Sequence, residues 1–205
     1  MNLIEIVSLF LIILAVIFFF ISVKTTSATH GKKIDDYQNS KTALLVIDMQ
    51  NDSIGPSAKN PFPPVYADKL IENVNKVIDI AKNNGWIIVY IKQELPKNQA
   101  FVAHGKFLQG SKGAEIDKRI KIESNNFFTK KYSDSFSNPE FDKFLRKNYV
   151  DKIYITGVAA DECVRATAFG AQNRGYEVIA VKEAIGTPEQ QDLDKILETY
   201  TKRGI

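Results

Sequence analysis

Between residues 41 and 202 the chain alternates short, largely apolar runs with amphipathic stretches, and no other feature limits its fold as strongly. The run ALLVI at 43–47 is apolar at each position, so side chains on both strand faces must be buried. That describes a central strand of a parallel sheet. Further runs follow at 86–91, 127–129, 152–156 and 176–181. Between them, 66–84 carries Leu70, Ile71, Val74, Val77, Ile78 and Ala81 at helical spacing and stops at Asn83-Asn84-Gly85. Shorter helices are expected over 138–147, 162–173 and 188–202. Strands that alternate with helices imply an α/β domain with right-handed crossovers. The connection 51–64 is rich in Pro, Asn and Ser and reads as loop. The connection 92–126 is long, with a short helix expected near 114–119.

A second constraint lies before this domain. Residues 6–23 form a nearly unbroken apolar run, IVSLFLIILAVIFFFISV. As a helix it reaches ~27 Å, close to the ~30 Å of a bilayer core. A buried core helix of this length needs a polar face, and this run has none. The choice is between a membrane anchor and a signal peptide. The five residues of 1–5 hold Glu5 and no Lys or Arg, and Thr26-Ser27-Ala28 is a weak cleavage site, which favours the anchor. Lys24, Lys32, Lys33 and Lys41 all follow the run, so the positive-inside rule puts the domain in the cytoplasm. The expected organisation is an anchor over 1–23, a polar tether over 24–40 and a globular domain over 41–205.

Composition excludes several classes of function. The net charge is +3 with both signs intermixed, so no basic stripe points to nucleic acid. One cysteine rules out an intrachain disulfide, and two histidines with no CxxC or HExxH spacing argue against structural zinc.

That one cysteine stands where chemistry is expected. The run at 153–155 ends at Thr156-Gly157, a tight turn follows, and Cys163 opens the next helix. A buried inert thiol is the commoner fate of a lone cysteine. At a helix N-terminus, however, the macrodipole favours thiolate, so iodoacetamide labelling well below the ordinary thiol value of ~8.5 is expected. In open parallel sheets ligands bind beyond the carboxyl ends of the strands. Asp48 and Lys130 fall at two further such ends. Each alone reads as a turn cap or a surface charge, whereas three reactive groups on one rim read as a site. His104, in the long loop, offers a Cys–His alternative, and His30 lies in the tether.

Three motifs carry a resemblance: ALLVIDMQND at 43–52, FTKKYSDSF at 128–136 and GVAADECVRATA at 157–168. In this order and spacing, over roughly 41–202, the chain resembles the isochorismatase-like cysteine hydrolases, which include nicotinamidases and N-carbamoylsarcosine amidase-like enzymes. The resemblance implies a Rossmann-like three-layer α/β/α fold with a mostly parallel sheet of five or six strands; the N-terminal transmembrane helix expected above lies outside the family pattern. It implies Cys163 as nucleophile, Asp48 as general acid and base, and Lys130 rather than Lys131 as the group that orients the pair. It places the oxyanion on the Ala159 and Cys163 N–H groups and a cis peptide at Val158–Ala159. The expected reaction is hydrolysis of a small amide or carbamoyl-type bond without a cofactor. Phe62, Tyr132 and Phe136 are candidate wall residues, and specificity rests on the 53–66 and 92–126 loops. Metal-binding relatives have an Asp-Trp-His stretch after the second strand. Here that stretch is Lys92-Gln93-Glu94, so no metal is expected although Asp52 is present. Either residues 203–205 form a stub of the family's last strand or the sheet edge differs. Homo-oligomers are common in the family, and a catalytically idle binding module at the membrane is the alternative to an enzyme.

Overall fold

A computed structural model describes residues 3–56, 58, 62–100 and 104–205. Five strands, β1 (Lys41–Ile47), β2 (Ile87–Gln93), β3 (Phe127–Lys130), β4 (Val150–Val158) and β5 (Glu177–Gly186), form one sheet in the order β3-β2-β1-β4-β5. All four pairings are parallel. The sheet is the central layer of three. Strand alternation divides β1 between two cores: Ala43, Leu45 and Ile47 join one, Leu44 and Val46 the other. The second core is closed by α3 (Pro64–Asn83) through Leu70, Ile71, Val74 and Ile78. The first is closed by α4 (Pro139–Lys147), α5 (Cys163–Asn173) and α6 (Leu193–Thr201), with Phe141, Leu145, Val164, Ala168 and Tyr200.

Three boundaries depart from the sequence reading. The 51–64 segment opens with a short helix, α2 (Asn51–Ile54). The helix expected near 114–119 is a single 3₁₀ turn, Lys112–Ala114, capped by the Ser111 hydroxyl. The last helix begins at Leu193, after a 3₁₀ turn at Gln190–Asp192, and residues 203–205 pair with no strand. The specificity loops 53–66 and 92–126 lie partly outside the described residues.

The chain leaves β1 and β4 by sharp turns that set up the site. Asp48 holds a positive φ of 52°, a conformation that Asp tolerates better than most residues. Gly157 has φ 118° opposite Ile47, and a Cβ there would overlap the Ile47 carbonyl oxygen. The Val158–Ala159 peptide is cis. Gly157→Ala is expected to lose about 2 kcal/mol or more of stability in urea unfolding, because backbone rather than a flexible side chain must move.

Before the sheet, α1 (Leu3–Thr26) runs one turn past the apolar stretch. Among the described residues it is the one helix long and apolar enough to cross a membrane, judged by length and composition. Its large apolar side chains between Ile6 and Phe18 are 45–75% exposed. The 24–40 segment is not a free tether. Thr29 donates through its N–H and its hydroxyl to Asp134 Oδ2, both at 2.7 Å. The Arg174 guanidinium donates to the Thr29 and His30 carbonyls at 3.2 and 3.1 Å, and the Ile34 N–H to the Arg174 carbonyl at 2.8 Å. Arg146 holds the Lys32 and Lys33 carbonyls. The segment is a strap laid on the domain.

Candidate active site

Asp48, Lys130 and Cys163 come together at the carboxyl ends of the sheet. Asp48 follows β1, Lys130 ends β3 and Cys163 opens α5 just after β4, the neighbour of β1. The Lys130 side chain is fully buried and its ammonium spends all three protons. One goes to Asp48 Oδ2 at 2.8 Å, one to Gln93 Oε1 at 2.7 Å and one to Cys163 Sγ at 3.1 Å. Lys131, the residue after β3, is exposed and lines the cavity. The second oxygen of Asp48, Oδ1, is buried and has no hydrogen-bond partner among the described residues, so its lone pairs are open to a proton.

Two glutamines that the sequence reading did not single out fix the lysine. Gln50 is fully buried. Its Nε2 donates to the Gln93 and Ala114 carbonyls at 2.9 and 2.7 Å, and its Oε1 accepts the Gln93 N–H at 2.8 Å. Gln93 is thereby held to aim its own Oε1 at Lys130, while its Nε2 donates to the Lys131 carbonyl. Gln50 lies inside the first motif, which is the one signal that pointed to it.

The charges make a neutral set: one carboxylate, one ammonium, one thiol. Burial alone would lower the Lys130 pKa, but Asp48 and then Cys163 outweigh it, and the pKa is raised. The Cys163 thiol is pushed up to about 12, first by burial and then by the Asp48 charge, against the opposing pull of Lys130. The direction of that shift runs against the expectation of a resting thiolate. A helix terminus and one lysine do not offset desolvation beside a carboxylate. In the wild type, iodoacetamide labelling should therefore rise only at pH well above 8.5. Asp48→Asn removes a charge that raises the thiol pKa and leaves Lys130 in place. Labelling near pH 7 should then be faster than in the wild type, and a slower rate would contradict this electrostatic account.

Asp48 and Cys163 border a cavity of about 360 Å³, within the range for small-molecule sites, with the Lys130 ammonium buried behind them. Phe62 and Tyr132 line it, with Gln93, Phe107, Val158 and Ala159. Phe136 does not. It is 4% exposed, packs on Phe141 and Tyr176 and carries the Arg174 guanidinium over its ring, so it is core. His104 is absent from the lining and His30 belongs to the strap.

Residues 42–205 match a family model described as an isochorismatase domain. The chain belongs to the isochorismatase family. A probable inactive nicotinamidase of Arabidopsis thaliana is 29% identical over 164 residues, 72% of this chain and 83% of that protein. The pyrazinamidase of Pyrococcus horikoshii, solved in complex with zinc, is 32% identical with a TM-score of 0.71, covering 80% of this chain and 97% of its own. The N-carbamoylsarcosine amidase of Thermoplasma acidophilum is 26% identical with a TM-score of 0.67, covering 78% and 91%. The three-layer fold with its parallel five-stranded sheet is that of the isochorismatase family.

Zinc in one relative raises the question of a metal here. Among the described residues no three His, Cys, Asp or Glu side chains gather as a ligand set. Asp52, the remaining carboxylate of the metal-binding pattern, accepts the Phe107 N–H at 2.7 Å and sits against Gly113, where a Cβ would overlap it. Asp52 is thus the one carboxylate of that pattern among the described residues, and no set of three ligands is gathered with it there.

Proposed function

We propose that the protein is a cysteine amidohydrolase that cleaves a small amide or carbamoyl-type C–N bond through a thioester on Cys163. The observation that carries this reading is the buried lysine shared between a carboxylate with one free oxygen and the sole thiol. As Cys163 sulfur attacks the carbonyl carbon, its proton passes to Asp48 and the C=O electron pair moves onto oxygen. The Ala160, Glu162 and Val164 N–H groups are committed to the Gly186 and Ala159 carbonyls. In this reading the Ala159 and Cys163 N–H groups receive the oxyanion, as the family resemblance implies, a contribution of ~3 kcal/mol per donor in such sites. When the C–N bond breaks, Asp48 returns the proton to the leaving amine or ammonia. Water then attacks the thioester, Asp48 takes its proton, and the C–S bond breaks to release the acid and restore the thiol. Lys130 stays cationic throughout and balances the charge on Asp48 or on sulfur. Phe62 and Tyr132 form the walls.

The same proposal places α1 across a membrane through residues 6–23, as a single pass with the domain on the cytoplasmic side. Support comes from the length and hydropathy of that helix and from the lysines that follow it. A second reading, a catalytically idle binding module, is favoured by the name of the Arabidopsis relative. Intact-mass analysis with a panel of small amides separates the two. An acyl adduct on Cys163 together with ammonia release is expected. No adduct and no ammonia across the panel would overturn the enzyme reading in favour of the idle one.

A further inference from the structure

The end of α1 forms part of the wall of the active-site cavity. Thr25 and Thr26, its last two residues, line that cavity together with Asp48 and Cys163. The placement is pinned. The Ser133 N–H donates to the Thr25 carbonyl at 2.9 Å, and Ser133 itself lines the cavity. Three residues later the Thr29–Asp134 bonds hold the strap. The domain therefore has no spacer with which to stand away from α1. Thr26 lies three residues beyond Val23, ~5 Å along the helix axis. With residues 6–23 in hydrocarbon, the cavity rim stands in the headgroup layer.

The opposite rim is consistent with that location. Pro188 borders both the cavity and an adjoining hollow formed with Pro63, Val65 and Tyr66. Val65 is 84% exposed, the most exposed large apolar side chain among the described residues. Lys24 lies in the last turn of the anchor helix, and Lys106 and Lys131 line the cavity beside the carboxylates Asp52 and Glu162. Phe62, Phe107, Tyr132 and Val158 line the same cavity as Cys163 and give an acyl chain apolar contacts there. A freely soluble amide requires neither an apolar lip nor a mouth against the bilayer.

We propose that the enzyme takes its substrate from the membrane surface: an amphiphilic amide whose carbonyl reaches Cys163 while its apolar tail leaves past the Thr25–Thr26 edge. This rests on the amidohydrolase and anchor readings above and adds the substrate class. The bond cleaved and the products are those already described, with a lipid-like acid or amine as one of them.

The test uses the full-length protein in phosphatidylcholine vesicles, with ammonia release measured for nicotinamide and for straight-chain primary amides from butanamide to dodecanamide. The expected result is a rise in kcat/KM of about tenfold or more along the series. The rate on dodecanamide should also fall as extra lipid dilutes it in the surface at constant bulk amount. Soluble amides cleaved as well as long ones, with no response to added lipid, would overturn the surface-substrate inference alone. No ammonia from any amide, with no acyl mass on Cys163, would overturn the amidohydrolase reading and this inference with it.

Discussion

Cys163→Ala should abolish amide hydrolysis, with a loss in kcat on the order of 10⁴–10⁶-fold, while the protein stays folded. The size of the loss follows from the role. Without sulfur no covalent intermediate forms, and what remains is binding and oxyanion stabilisation acting on water. The survival of the fold follows from the contacts. Sγ takes one of the three protons of Lys130, and the other two stay on Asp48 and Gln93 at 2.8 and 2.7 Å. The ion pair is therefore intact in the variant, and the stability change should be about 1 kcal/mol, the cost of a small cavity. Parallel assays of ammonia release and thermal unfolding check both halves. Hydrolysis within tenfold of wild type would remove Cys163 from the chemistry. A collapse in melting temperature would make it a structural thiol.

The architecture was legible because its signals are local. A run such as ALLVI, apolar on both faces, has one comfortable place, the middle of a covered sheet. Alternation of such runs with helical periodicity then restricts the connections to crossovers. Asp48, Lys130 and Cys163 were legible for a related reason, since a reactive side chain directly after a buried strand lies on the rim where ligands bind. What escaped depends on contacts between distant parts of the chain. Gln93 is an ordinary polar residue at a strand end until Gln50, 43 residues earlier, fixes its backbone and amide. The 24–40 segment has the composition of a solvated linker. It is held instead through its backbone carbonyls by Arg174, 144 residues away, and such bonds leave no mark in side-chain pattern. Phe136 sits in a functional motif, yet it serves as the floor on which Arg174 stacks. The direction of the Cys163 shift was hidden for a different reason. The helix terminus and the lysine are visible in sequence, but the degree of burial, the largest contribution, is not.

These points make the lysine, rather than the thiol, the structural centre of the site. Lys130 is the one group that touches both chemical partners, and it neutralises a carboxylate that is itself 5% exposed. Lys130→Met keeps the unbranched shape and deletes the charge. Asp48 is then buried without a counter-ion, which costs about 3–5 kcal/mol in comparable pairs. Urea unfolding should show that loss. The double variant Lys130→Met with Asp48→Asn, which leaves no carboxylate at that position, should regain most of it. Activity of Lys130→Met should fall by about 10³-fold or more, because the charge that balances a nascent thiolate is missing. A double variant as unstable as Lys130→Met would mean that Lys130 matters through packing, and full activity of Lys130→Met would mean that Asp48 and Cys163 work without it.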